Sequence, residues 1–192
     1  MDLKGKKIIL ASNSPRRREL LRGLDIDFEV DTGNNFNENY SIDVPHRQVP
    51  VLMSKGKSHG FHRELRENEI LITSDTMVLC GEEVLGKPHS RDDAVRMLKS
   101  LSGNEHIVVT AVTIRDAHRE ETFTDTTKVH FRELDDDEID YYLDKYRPYD
   151  KAGAYGVQEW IGYVGISGIE GSFYTVMGFP VLRVYQELQK FL

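Results

Sequence analysis

The chain has 192 residues, 30% of them charged and 39% hydrophobic, the length of one ordinary domain with too much apolar content for a disordered segment. Twenty-five Lys and Arg against 32 Asp and Glu leave a formal charge of −7, which disfavours a nucleic-acid polymer binder working by bulk positive field, so any anion must be held by a local site. The single cysteine, Cys80, excludes a disulfide framework or a multi-cysteine metal site.

In chain order, Lys7 to Ala11 is a short apolar run that reads as a strand. The opening MDLKGKKIILAS has a basic end but too short an apolar stretch for a leader, and no later run approaches the roughly 18 to 20 residues of a membrane span. A cytoplasmic setting without membrane attachment is expected. After a tight loop, Pro15 stands at the first position of a helix with Leu20, Leu21 and Leu24 at helical spacing. Ile26 to Val30 is a second strand, and Asp31 to Asp43 shows no periodicity and reads as a loop of functional length. Pro50 opens a helix expected to run to about Leu65, and Ile70 to Leu79 reads as a buried strand returning through Gly81-Glu82-Glu83 into a short partner.

Ser90-Arg91-Asp92-Asp93 resembles a capping box for a helix with Val95, Leu98 and Leu101 on one face. Residues 105–115 and 121–131, rich in β-branched side chains, flank the polar turn 116–120 as a hairpin. Asp135 caps a helix whose stripe is Ile139, Tyr142, Leu143 and Tyr146, with Pro148 just past its end. A Gly-rich stretch, 150–178, precedes a last helix from Pro180 with Val181, Val184, Tyr185 and Leu188 on one side. Helices alternating with strands that include hairpins imply an α/β fold with a mixed, partly antiparallel sheet and flanking helices, in one domain spanning 1–192.

Two phosphate-loop patterns fail on chemistry. Gly81 to Lys87 fits G-x-x-x-x-G-K, but Pro88 supplies neither the hydroxyl nor the amide that must follow, and Gly56-Lys57-Ser58 has Val51 where the first Gly belongs. His59 and His62, three apart in the expected helix, lack the rest of a zinc pattern and read as a solvated face. The run Ser12-Asn13-Ser14-Pro15-Arg16-Arg17-Arg18 joins hydroxyls, free amides and guanidinium groups where a helix begins, a good anion site. Arginines are electrostatically misplaced at that end of a helix unless negative charge balances them. Thr73-Ser74-Asp75-Thr76 interrupts an apolar strand, and a carboxylate there is costly without a metal, a cation or a reacting water; an Asp capping a loop is the alternative. Lys87 can return by the hairpin to the same end of the sheet, or be an ordinary surface lysine. In Asp150-Lys151-Ala152-Gly153-Ala154-Tyr155-Gly156-Val157-Gln158, small residues allow close approach of backbone to a ligand, and Gln158 offers a donor and an acceptor to a nucleobase edge. The alternative is a Gly-rich turn packed by Tyr155 and Trp160.

Taken together, LASNSPRRRELL at 10–21, SDTMVL at 74–79, GKP at 86–88, LSGNEH at 101–106 and DKAGAYGVQ at 150–158 resemble the Maf family of nucleoside triphosphate pyrophosphatases over nearly the whole chain. The resemblance implies a fold related to the inosine triphosphate pyrophosphatases, with two lobes around a cleft, often a homodimer. It also implies hydrolysis of a nucleoside triphosphate substrate to monophosphate and pyrophosphate with Mg²⁺ or Mn²⁺. By position, Asp75 matches the family's catalytic aspartate, the proton acceptor, and Lys87 its phosphate-facing lysine. Glu38 matches an acidic residue that would join Asp75 in holding the metal. Lys57 matches a further lysine, with Lys55 the competing choice, while Ser12, Ser14, Arg16 and Arg17 fall in the phosphate-binding motif. Arg16, Thr76 and Gln158 match the three residues of the dTTP and UTP branch; the 7-methyl-GTP branch has Trp, Gln and Glu there. The rival class is a non-catalytic nucleotide-binding regulator of septum formation.

Overall fold

The computed structural model describes residues 2–41 and 43–192. In chain order its elements are β1 (Lys7–Leu10), α1 (Pro15–Arg22), β2 (Phe28–Val30), α2 (Val49–His59), β3 (Glu69–Cys80), β4 (Glu83–Leu85) and α3 (Arg91–Leu101). Then come β5 (Glu105–Arg115), β6 (Glu120–Phe131), α4 (Asp136–Tyr146), α5 (Trp160–Gly165), β7 (Ile166–Glu170), α6 (Phe173–Val176) and α7 (Val181–Gln189). Among the described residues the sheet runs β2-β1-β3-β5-β6-β7, with β4 paired to β3. β1 lies parallel to β2 and β3, whereas β3–β4 and β6–β7 are antiparallel, so the fold is α/β with the mixed sheet expected. No helix among the described residues is long and apolar enough to cross a membrane.

The chain divides into two compact units, the first comprising residues up to Asp75 with 110–125 and 178–192, the second 76–109 with 126–177. Strands β3, β5 and β6 each contribute one part to either unit. In the first, Ile8, Ile9 and Leu10 of β1 and Ile70, Leu71 and Ile72 of β3 are all buried, as parallel strands covered on both faces require. Each such side chain contributes about 1.5–3 kcal/mol relative to exposure. In the second, Leu98 and Leu101 of α3 and Tyr142 and Leu143 of α4 are buried, and α3 packs on α4.

Helix boundaries follow their caps. The Ser14 hydroxyl accepts from the Arg17 N–H, and Pro15 occupies the first helical turn, where its missing donor costs nothing. Ser90 caps α3 through the Asp93 N–H, but the Asp93 carboxylate reaches back to the His89 N–H, one residue short of a full capping box, and Ala94 and Met97 are buried where Val95 is not. In α4 the box is complete, with Glu138 accepting from the Asp135 N–H at 3.0 Å. Tyr146 and Tyr185 are more exposed than their helical stripes imply, because each lies at the edge of its buried face.

Three expectations fail. Helix α2 stops at His59, not near Leu65, because Gly60 caps it and the backbone turns to pair Phe61 with Asn34. His59 and His62 therefore share no helix; His59 meets Glu120 at 2.6 Å and His62 meets Asp31 at 3.0 Å. The Gly-rich stretch also contains α5, β7 and α6, whose short lengths hide their periodicity.

In the second unit His106 is 1% exposed, its Nε2 lies 2.6 Å from the Tyr155 hydroxyl, and its Nδ1 has no partner among the described residues. Burial, then the charge of His130, pushes its pKa down to about 4. The unfolded imidazole takes up a proton near its ordinary 6.5, the folded one only near 4, so stability falls as pH drops between the two. That window drains about 3 kcal/mol through this one group. His106→Gln keeps a polar partner for Tyr155 but cannot titrate. Its unfolding free energy, measured from pH 7 to 4, is expected to fall less steeply than that of the unaltered protein; parallel curves would refute the assignment.

Candidate active site

The first unit gathers charge at the end of β3. Two buried hydroxyls bring α2 and β3 together, with Thr73 donating to the Ser54 carbonyl at 2.7 Å and Ser54 Oγ lying 3.3 Å from the Thr73 carbonyl. Lys57 is three residues beyond Ser54 and so on the same face of α2, and Asp75 is two beyond Thr73 and so on the same face of β3. The hydroxyl contact thus delivers Lys57 to Asp75. Lys57 Nζ stands 2.7 Å from Asp75 Oδ1 and 3.3 Å from Glu38 Oε1. Asp75 and Lys57 are each 19% exposed, Glu38 62%. Lys55, two residues away on another face, pairs with Glu120 at 3.6 Å instead.

Glu38 reaches Lys57 because its loop is anchored just before it. The Asn34 side-chain amide donates to the Lys57 carbonyl at 2.6 Å, its oxygen accepts from the Phe36 N–H at 2.8 Å, and the Phe36 ring lies over Gly56. A Cβ on Gly56 would collide with that ring, and one on Gly60 with Phe36 and Asn34.

The Ser12 to Arg18 run is built more tightly than an open anion pocket. Ser12 is buried, and its hydroxyl accepts from the Ser14 N–H at 3.2 Å and from the Arg17 guanidinium at 3.5 Å. Arg17 also donates to the carbonyls of Gly178 at 2.9 Å and Ser74 at 2.8 Å, and Arg18 to the Ser12 carbonyl. Burial lowers the Arg17 pKa; the negative charges of Asp75 and Glu38 oppose that shift, and neighbouring Arg16 adds to it. Arg17 and Arg18 are thus turned at the start of α1 towards backbone carbonyls, and the charges of Asp75 and Glu38 act on Arg17 as well. Arg16 is half-buried beside them.

In the second unit, Thr76 follows Asp75 directly and is half-buried, and Lys87 is exposed just after β4. Gly153 donates to the Gly86 carbonyl at 3.0 Å, so the GKP and DKAGAYGVQ segments are neighbours. Gly153 and Ala154 both have positive φ, 73° and 58°; the first suits glycine, the second is strained. Gln158 is half-buried, and its Oε1 is buried without a hydrogen-bond partner among the described residues. Sequence reasoning missed what surrounds it. Lys151 is buried, with Nζ 2.8 Å from Asp150 and 3.0 Å from Glu159; the Tyr142 hydroxyl donates to Glu159 and accepts from the Gly156 N–H at 2.9 Å. Burial first, and the bond to Glu159 second, hold that hydroxyl protonated far above the ordinary tyrosine range. The only signal in the sequence was a lysine in a run of small apolar residues.

Asp75 and Glu38 present hard oxygen donors of the kind Mg²⁺ and Mn²⁺ take, and in this structure both face the Lys57 ammonium. In donor type they fit such an ion. Glu105, His130 and Glu170 also converge, on the exposed edge of β5, β6 and β7. There His130 Nε2 meets Glu170 at 2.9 Å and Lys128 meets Glu105 at 3.4 Å, and the resemblance assigns none of these residues a role.

A family model described as Maf-like protein matches residues 7–191. A relative from Parabacteroides distasonis is 48% identical over 190 residues, covering 99% of this chain and 98% of its own. One from Bacteroides thetaiotaomicron is 48% identical over 184 residues (96% and 95%), and one from Flavobacterium johnsoniae 44% over 186 (97% and 95%). All three carry the name dTTP/UTP pyrophosphatase.

Proposed function

The chain belongs to the Maf-like protein family, and from that premise we propose that it is a nucleoside triphosphate pyrophosphatase hydrolysing dTTP and UTP to the monophosphate and pyrophosphate. The names of its relatives support the substrates, and the Asp75–Lys57–Glu38 arrangement supports the chemistry. A water oxygen bonds to the α-phosphorus, its proton passes to the Asp75 carboxylate, and the bond from that phosphorus to the bridging oxygen breaks to release pyrophosphate. Lys57 orients the Asp75 carboxylate through their 2.7 Å contact. Arg16, Arg17 and the Ser12 and Ser14 hydroxyls meet phosphate oxygens, and Lys87 faces the leaving pyrophosphate. Asp75 and Glu38 would hold Mg²⁺ or Mn²⁺, which supplies charge neutralisation for the triphosphate. Cys80 is not needed. A cytoplasmic setting and a homodimer belong to the same reading.

The base is read by Gln158, whose amide can pair with a carbonyl and an N–H of uracil or thymine, Arg16 and Thr76 completing the branch pattern. Gln158 Oε1, buried and without a hydrogen-bond partner among the described residues, is an unmet acceptor that this role would use. The deciding assay is pyrophosphate release across dTTP, UTP, CTP, GTP, ATP and 7-methyl-GTP. Pyrophosphate and monophosphate are expected, fastest with dTTP and UTP; orthophosphate as first product would move the attack to the γ-phosphorus. Binding without turnover would favour the nucleotide-binding regulator. Gln158→Glu replaces the amide donor by acceptor oxygens opposite a ring carbonyl, so kcat/KM for dTTP is expected to fall at least about tenfold more than that for ATP. Equal losses would leave Gln158 as loop support only.

A further inference from the structure

The segment that carries Gln158 is fixed by one hydroxyl from another element. Tyr142 is fully buried in α4, its ring stacked on Tyr146 with centroids 5.2 Å apart. A phenol has one proton to donate, and here it goes to Glu159; the Gly156 N–H donates back to the same oxygen at 2.9 Å. Glu159 cannot turn away, because its other oxygen is 3.0 Å from the buried Lys151 ammonium. The two residues between those anchor points, Val157 and Gln158, are therefore held at both ends. Close packing removes the remaining freedom. The Glu159 N–H bonds the Gly156 carbonyl at 3.0 Å and the Gly162 N–H bonds the Glu159 carbonyl at 2.8 Å. A Cβ on Gly156 would strike the Glu159 carboxyl carbon, and one on Gly162 the Val157 carbonyl.

The Gln158 amide carried by this frame has an oxygen withdrawn from solvent and without a hydrogen-bond partner among the described residues, an unmet acceptor that a small movement of the side chain would present to a ligand. We propose that Tyr142 is a positioning residue for substrate discrimination, acting through Gly156 and Glu159 to hold the Gln158 amide in register with a pyrimidine edge before the substrate arrives. The inference rests on the reading of Gln158 as the residue that meets the base. Preorganisation of this kind raises affinity for the matching base and leaves the chemistry at the phosphates unaltered.

Tyr142→Phe removes one oxygen and keeps the ring. It leaves the Gly156 N–H without its acceptor and Glu159 without one donor. The ratio of kcat/KM for dTTP to that for GTP is expected to fall about tenfold, through a higher KM for dTTP, with kcat for either nucleotide within about twofold. Glu159→Gln, which keeps volume and an acceptor for Tyr142 but removes the charge facing Lys151, is expected to lower the ratio in the same direction and serves if the Phe variant does not fold. Gln158→Ala and the Tyr142→Phe/Gln158→Ala pair complete a double-mutant cycle. If Tyr142 acts through Gln158, adding Tyr142→Phe to Gln158→Ala changes the ratio no further. A folded Tyr142→Phe or Glu159→Gln protein with an unchanged ratio, or a double variant whose ratio losses simply multiply, would overturn the proposal while leaving Gln158 as base reader. An unchanged ratio in Gln158→Ala itself would remove the base reading and the proposal with it.

Discussion

Asp75→Asn is expected to lower turnover at least about a hundredfold, the range of a general-base contribution, without unfolding the protein. Asn has the same shape, and its amide oxygen can still accept from Lys57 at the place Asp75 Oδ1 now occupies. What disappears is the negative charge and the site for the water's proton. The main loss should fall on kcat, with the melting temperature little changed; a rise in KM that excess Mg²⁺ reverses would accompany it if Asp75 also holds the ion. A near-normal kcat in the folded variant would remove Asp75 as base or metal-site residue, and a raised KM alone would make it a binding group.

Excess chelator is expected to abolish hydrolysis, and Mg²⁺ or Mn²⁺ to restore it. The side-chain inventory in the first unit explains why. Lys57 lies between two carboxylates, so these three groups sum to a net negative charge, and Arg17 spends donors on the Gly178 and Ser74 carbonyls. A triphosphate brings more negative charge than the remaining cations offset, whereas Asp75 and Glu38 present hard oxygen donors to a divalent ion. Full activity in chelator, assayed by pyrophosphate release from dTTP, would exclude the ion.

The parts of this molecule written in short-range patterns were legible in its sequence. Pro15 at the first helical position, Asp135 as a cap and the β-branched runs on either side of 116–120 each specify their element through a local signal that needs no partner elsewhere. Asp75 stood out because a carboxylate in an apolar strand demands a counterpart. Choosing Lys57 over Lys55 as that counterpart needs the rotation of α2 about its axis, which Ser54 and Thr73 set through tertiary hydrogen bonds. The inward turn of Arg17 and Arg18 was hidden for the same reason, since the carbonyls they reach include those of Ser74 and Gly178, far away in the chain. Residues 150–178 hid three elements because a helix of four to six residues shows less than two turns of periodicity. Tyr142 looked like one more member of an apolar stripe; only the fold reveals that its hydroxyl carries a specific pair of bonds.

The glycines beneath Phe36 bear on how this protein can change over generations. Gly56 and Gly60 leave a trough on α2 filled by that ring, and Asn34 ties the same stretch to the Lys57 carbonyl, so a side chain gained at either glycine would lift the strand of loop that ends in Glu38. Those positions must drift together or stay put. Past Glu38, Asn39, Tyr40 and Ser41 are exposed, and the side-chain hydrogen bonds of Asn39 and Ser41 among the described residues go to Asn37 and Asp43 within the loop. Insertions and deletions among descendants should accumulate there, and a library of loop-length variants should retain activity when altered at 39–41 and lose it when a single residue is added between Asn34 and Glu38.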